Sequence, residues 1–248
     1  RIPRTAEGQL LAISDKADTI AGMFGLGLEP TGSKDPFALR RAANGIVKIL
    51  AEGSLPLTLG DVADAATEKE ETRRKMEVFF AERLEFYLRE AKGQAYDVVK
   101  AVLAAGANDV RDAVARAEAV TAVRGSDDFA AVSAAFKRMK NILAQAEEKG
   151  VKIEHGKARA GEVHAAQRQL VDAAGRIGAR FKTLAEKHEY GPAMELIAGL
   201  RGPVDAFFDQ VMVMDPDVAV RNARLALLAG LVETFSKIAD FSEIVTAG

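Results

Sequence analysis

The sequence predicts an all-α fold, and three observations carry that expectation. Apolar residues recur at helical spacing, as in Ile13, Ala17, Ile20-Ala21 and Phe24, or in Met76, Phe79-Phe80, Leu84 and Tyr87-Leu88. Between such runs stand breakers and caps, among them Gly53, Gly93 and Gly106 and the Asp-Pro pairs at 35–36 and 215–216. No alternating strand pattern occurs. The nearest, Val211-Met212-Val213-Met214, reads better as the end of a helix.

Taken in order, the first helix covers residues 7 to 24 and ends at Gly25 and Gly27, with a turn at Pro30-Thr31-Gly32. The second runs from Pro36 to about Ala51. Asp35 can cap it, and Pro36 sits where a missing N–H costs nothing. A short helix follows from Gly60-Asp61, then a long one from about Lys69 to Ala91. Its outer face mixes Glu70, Glu71, Arg73, Arg74 and Lys75, the pattern of a solvated surface. Three more span Ala95 to Ala105, Val110 to Arg124 and Asp127 to Glu148, the last preceded by the loop and cap Gly125-Ser126-Asp127-Asp128. Residues Lys149 to Gly161 hold three glycines and little apolar content, so a mobile loop is expected there. Helices at 162–187, 190–200 and 203–211 come next. The final one runs from Asp215-Pro216-Asp217, a second cap of the Asp-Pro kind, to about Phe241.

Composition narrows the function classes. With 248 residues the chain can form one large core or two smaller ones. It begins at Arg1 rather than Met, so a piece of a longer protein is expected. Cysteine is absent, which excludes disulfides and thiolate metal sites. No run approaches the ~18–20 apolar residues of a membrane helix, and no signal peptide is visible. A cytoplasmic or organelle-matrix setting follows. A net charge of −2 argues against a general nucleic-acid coat, and aromatics at 6% without tryptophan leave few stacking platforms.

Several motifs invite chemistry. Gly27-x4-Gly32-Ser33-Lys34 nearly spells a phosphate-binding loop, but Lys and Ser are inverted and a helix, not a strand, precedes it. His155, His164 and His188 lack metal-ligand spacing, so surface positions are expected for them. Asp205 and Asp209 sit at i and i+4, with Asp215 and Asp217 beyond. Paired carboxylates suggest acid–base work, but helix capping and dipole compensation explain Asp215 and Asp205 as well. Between Lys157 and Lys187, seven basic residues (Lys157, Arg159, Arg168, Arg176, Arg180, Lys182, Lys187) face three acidic ones (Glu162, Asp172, Glu186). Such local charge suits phosphate contact, although a solvated helix face has the same composition. Lys137, Arg138 and Asn141 share one side of a helix, joining two cations to an amide that can read a base edge. The opposing reading is surface charge with Asn141 turned to a neighbouring helix. Arg221, Asn222 and Arg224 repeat the mix at a helix N-terminus, which itself attracts phosphate.

The string Lys34-Asp35-Pro36-Phe37-Ala38-Leu39-Arg40-Arg41 resembles a signature of the glycyl-tRNA synthetase β-subunit family, of the bacterial heterotetrameric type. So do Asp15-Lys16-Ala17-Asp18-Thr19 and Gly25-Leu26-Gly27 upstream. Downstream, Asp97 to Ala104, Phe136 to Leu143, Pro203 to Met214 and Arg221 to Leu228 continue the likeness in the same order. It implies the tail of an HD-type domain at 1–32, a helical body segment at 33–85 and a DALR-type anticodon-binding domain at 86–248. It also implies the partners: glycine tRNA and the α subunit in an α2β2 assembly, with no DNA and no membrane. Aminoacylation, with its ATP and Mg, would belong to the α subunit, so no catalytic residue, cofactor or metal is expected in this chain. Asp18 falls where an HD-type domain carries its final metal-ligating aspartate, but the upstream ligands are not in the sequence. The tRNA-binding candidates are then Lys137, Arg138, Asn141, Arg221, Asn222, Arg224, Arg176 and Arg180, with Arg40 and Arg41 on the basic edge of the second helix. A carboxylate such as Asp205 or Asp209 could accept from the amino group of a cytosine, and glycine anticodons end in two cytosines. Two other readings stand beside this one: a helical module that docks within the synthetase while tRNA is held elsewhere, and a phosphohydrolase remnant of the HD type.

Overall fold

The structure, a computed structural model, describes residues 1–152 and 164–245. Most of the expected loop at 149–161 therefore lies outside the described residues, as do His155, Lys157, Arg159 and Glu162. Among the described residues every regular element is helical, and no helix is long and apolar enough to cross a membrane. The chain divides into two compact units, Arg1–Ala117 and Glu118–Gly248. The divisions expected from the family resemblance were at 32/33 and 85/86.

The first unit holds α1 (Ala6–Gly25), α2 (Leu39–Glu52), α3 (Leu59–Ala66), α4 (Glu70–Phe86), α5 (Tyr96–Ala104) and the start of α6 (Val110–Val123). Thr5 caps α1 by accepting the Gly8 N–H at 3.1 Å. α1 and α2 run antiparallel, since Gln9 meets Gly53 at one end of the pair and Lys16 meets Gly45 further along. Their apolar stripes, with Ile13, Ile20, Phe24, Leu39, Ile46 and Leu50, close over Met76, Phe80 and Leu84 of α4. α1, expected in the HD-type tail, and α2, expected in the body segment, thus share one core.

The start of α2 differs from the sequence reading. Pro36 lies in a turn, and the helix begins at Leu39 after Ala38, which sits in the left-handed region at φ +55°. Asp35 still serves the helix from outside. Its carboxylate accepts the N–H groups of Leu39 at 2.8 Å and Arg40 at 3.0 Å, two of the donors a helix start leaves unpaired. Just upstream, Thr31 and Lys34 exchange backbone hydrogen bonds of 3.1 and 2.9 Å around Gly32. The near-Walker stretch is therefore a tight turn between helices. At the other end of α2, Gly53 is required by space: a Cβ there would lie 2.4 Å from Gln9 Oε1 and 2.5 Å from the Ile49 carbonyl.

α3 opens with a capping box. Asp61 accepts from the Thr58 N–H at 2.8 Å, and Thr58 Oγ1 accepts from the Asp61 N–H at 3.1 Å. The backbone hydrogen bond from Thr58 holds the Asp61 carboxyl below its ordinary pKa. α4 does not continue as an α-helix to Ala91, because residues Tyr87–Ala91 widen into a π turn. The buried Arg116 of α6 stitches this end of the unit together. It donates to the carbonyls of Val102 at 2.8 Å and Gly106 at 2.7 Å, and to Asp112 at 2.7 Å. α5 and the first turns of α6 belong to the first unit for that reason.

The second unit contains α7 (Asp127–Glu148), α8 (Ala165–Glu186), α9 (Tyr190–Ala198), α10 (Arg201–Gln210) and α11 (Val218–Phe235), then a 3-10 turn at Phe241–Glu243. Ser126 caps α7 by accepting from the Phe129 N–H. A chain of ring contacts forms the core: Phe181 to Phe235 at 5.0 Å, Phe235 to Phe136 at 6.2 Å, Phe136 to Phe241 at 5.6 Å and Phe241 to Phe129 at 5.5 Å. Lys140 of α7 pairs with Asp240, which fastens the 3-10 turn to that helix. Residues 211–214 form no strand: α10 ends here as expected, with Val211 as its C-cap donating its N–H to the Phe207 carbonyl at 2.9 Å. Val211 is extended at φ −121° and ψ 119°, Val211 and Val213 point into the core, and Met212 and Met214 are exposed.

Candidate nucleic-acid interface

α7 presents its polar side to solvent along Lys137, Arg138 and Asn141, all exposed and all within about 100° of the helix circumference. Core packing dictates this. Val132, Phe136 and Met139 are buried, which turns the intervening cations outward. Lys140, on the flank, is taken by Asp240. For Lys137 no acidic partner stands among the described residues. Arg138 has a different neighbour, the ring of Phe208 on α10, with its guanidinium carbon 4.2 Å from the ring centroid. That lies inside the ~6 Å over which a ring face holds a cation.

α10 lies against α7 in roughly the same direction. Arg201 near the start of α10 donates to Asp128 at 2.6 Å, and Phe208, seven residues on, meets Arg138. Phe207 and Phe208 stand about 100° apart on the helix. Phe207 is buried and Phe208 is half-buried, under Arg138. Sequence reasoning missed Phe208. Adjacent phenylalanines do not announce such a ring by themselves, since Phe79 and Phe80 are both buried. Asp205, expected as a first-turn acid, lies one turn in and approaches Arg201 at 3.7 Å; Asp209 is exposed.

On α8, Arg176 and Arg180 are exposed and four residues apart. Arg176 lines an open depression of about 410 Å³ with Gln169 and Asp172 of the same helix and Gly202 and Pro203 of α10. Arg168 is exposed, and Lys182 approaches Glu186 at 3.9 Å. The charge that the sequence placed on this segment is thus an outward face of α8, apart from the part outside the described residues.

The start of α11 carries the main revision. Asp217, not Asp215, is the cap: its carboxylate accepts the N–H groups of Ala219 at 2.8 Å and Val220 at 3.1 Å. The helix N-terminus already holds an anion of its own. Arg224 is buried. It donates to Asp215 at 2.8 Å, to the Met212 carbonyl at 2.7 Å and to Gln167 at 3.3 Å, and so braces the 211–217 loop against α8. Arg221 and Asn222 are half-buried, with Arg221 reaching the Asp215 carbonyl at 3.5 Å. Of the three residues proposed here, Arg224 is withdrawn from solvent by its carboxylate partner.

Arg40 and Arg41 belong to the first unit. Arg41 is exposed, and Arg40 lies half-buried beside the Lys34 carbonyl at 3.5 Å. Asp18 is exposed on α1, on the rim of an apolar groove against α3 that Asp61 also borders. His164 caps α8 through Nδ1, accepting from the Ala166 N–H at 3.2 Å, and His188 lies 2.8 Å from the Tyr190 hydroxyl. Among the described residues no three acidic or histidine side chains converge as metal ligands would.

Comparison with known proteins joins these two units to a family. Residues 1–104 match the family model described as the glycyl-tRNA synthetase β subunit, and residues 132–245 match the DALR anticodon binding domain. The chain belongs to the glycyl-tRNA synthetase β-subunit family. The β subunit of glycine–tRNA ligase from Acidobacterium capsulatum is 54% identical over 99% of this chain. Those of Syntrophus aciditrophicus and Magnetococcus marinus are 41% and 37% identical over the same share. The chain spans 36 to 37% of the length of these relatives. The DALR match coincides with the second unit from within α7 onward, so Lys137, Arg138, Asn141, Arg176 and Arg180 all fall inside it.

Proposed function

We propose that this chain is the tRNA-binding part of a glycine–tRNA ligase β subunit, whose second unit holds the anticodon arm of glycine tRNA. The observation that carries the reading is the outward face of α7. Lys137, Arg138 and Asn141 stand exposed on a helix inside the DALR match, and among the described residues no carboxylate pairs with Lys137 or Arg138. Arg176 and Arg180 add positive charge on α8 of the same unit. Cations of this kind hold phosphates and set register, while unstacked loop bases are read by hydrogen bonds and stacking. The chemistry of glycylation, with ATP and Mg, is assigned to the α subunit of an α2β2 assembly in the cytoplasm. The role of this chain there is to spend anticodon binding on orienting the acceptor end.

The test is glycylation by the full-length synthetase of glycine tRNA, and of the same tRNA with either of its last two anticodon cytosines changed. Binding is measured alongside over a salt series. A large loss in kcat/KM on substitution, together with a steep fall of affinity with salt, supports the reading. Equal kcat/KM for all three tRNAs overturns it.

A further inference from the structure

We infer that Arg138, laid on the ring of Phe208, is a stacking shelf for one unpaired base of the bound RNA. Phe208 acts as the positioning residue, and Asn141, one turn along, is the group that meets that base's edge. The inference rests on the anticodon-arm reading and deepens it, because it separates base contact from phosphate contact within a single helix face. The grounds are local and physical. Lys140, Arg201, Arg224 and Arg116 are each engaged by a carboxylate, whereas Arg138 is engaged by a ring. A carboxylate partner uses up the in-plane donors of a guanidinium. A ring partner occupies one face and leaves the donors and the other face open.

Arg138 is exposed, so its outward face is available to a base, and Arg guanidinium planes are a recurring support for unstacked RNA bases. The ring also restricts the long side chain before RNA arrives, which lowers the ordering cost of forming the stack. This chain has no tryptophan and only three tyrosines, of which Tyr190 alone lies in the second unit, where it is buried. Phe208 is the aromatic ring that the α7–α10 surface offers, and the guanidinium extends it outward by one layer. Lys137 has no such ring among the described residues, so phosphate contact falls to it.

The experiment uses the full-length synthetase and glycine tRNA carrying pyrrolo-cytosine, a fluorescent cytosine analogue quenched by stacking, at each of the last two anticodon positions in turn. Arg138→Lys keeps the charge and removes the planar face. It should weaken binding on the order of tenfold, as loss of a base-stacking contact does. The salt slope should be unchanged, and the quench at one of the two positions should be lost. Phe208→Leu should repeat that loss, and Phe208→Tyr, which keeps the ring, should restore it. Lys137→Ala should lower the salt slope by about one and leave the quench intact. Circular-dichroism melts of each variant separate these effects from misfolding. If Arg138→Lys and Phe208→Leu bind and quench like the parent while the parent still discriminates anticodons, the shelf is refuted and the anticodon reading survives. If the parent itself is indifferent to anticodon substitution, both fall together.

Discussion

Arg224 was attractive in the sequence as a phosphate ligand, and the structure makes it a brace instead. That difference is measurable. Replacing Arg224 by Ala removes three hydrogen bonds at once and leaves Asp215, the Met212 carbonyl and Gln167 facing an empty space. Breaking a buried ion pair from one side costs about 3–5 kcal/mol. The Asp215 side chain keeps 26% exposure and can regain water, which favours the lower end, about 3 kcal/mol. Arg224→Lys preserves the charge opposite Asp215 but cannot fork to the other two acceptors. At about 1 kcal/mol for each hydrogen bond lost, it should cost roughly 1–2 kcal/mol. The assay is urea unfolding combined with hydrogen exchange of the α11 amides, which reports on the second unit by itself. A cycle with Asp215→Ala should show coupling of about 1–3 kcal/mol between the two positions. An Arg224→Ala variant as stable as the parent, but with a tRNA salt slope lowered by about one, would refute the argument and return Arg224 to the surface.

Three further expectations follow from the geometry. Asp35→Ala should cost about 1 kcal/mol, the value of a lost helix cap, because Leu39 and Arg40 each lose an acceptor; urea midpoints measure it. For Asp240, burial alone would raise the carboxyl, but hydrogen bonds from Lys140 and Ser242 outweigh it and hold the group below its ordinary value. The unfolded chain then takes up the proton first. The stabilisation is therefore complete above the ordinary carboxylate value of about 4 and is lost as pH falls through the lower folded value. Asp240→Asn should flatten the stability–pH curve in that acid window, and an unchanged curve would count against the Lys140 contact. Gly53→Ala should destabilise the first unit by about 1–3 kcal/mol through the collision with Gln9 and Ile49, read as a lowered thermal midpoint.

Helix limits were legible where a cap and an apolar stripe agree. α1 was expected at 7–24 and is found at Ala6–Gly25, and α7 begins at Asp127 after its Ser126 cap as read. The start of α2 was misread because an aspartate serves a helix equally well as its cap or from outside the first turn. Which of these occurs depends on Ala38 adopting a left-handed conformation that no local residue type announces. The outward placing of Lys137, Arg138 and Asn141 was legible too, since the buried Phe136 and Met139 leave those positions no other side. The fate of Arg224 was not. A helix arginine turns inward only if a carboxylate arrives from elsewhere in the chain, and Asp215 reaches it through the irregular 211–217 segment. The companion of Arg138 was not legible either: adjacent phenylalanines can both be buried, as Phe79 and Phe80 are, and the contact with Phe208 depends on how α10 packs on α7.

The notch at Gly53 has a consequence for how this chain can change its length. Gln9 at one end of α1 enters the space left by the missing side chain, and its amide oxygen accepts from the Ser54 N–H at 3.0 Å. Further along the same pair, the Lys16 side chain lies 3.0 Å from where a Cβ on Gly45 would stand. Both crossings use a glycine, so the two helices are keyed at two points. Inserting or deleting one residue between Gly45 and Gly53 would swing the second notch about 100° around α2 and present a side chain to Gln9 in its place. α1 and α2 are therefore a matched pair that tolerates substitution on its outer faces but not a change of count within it.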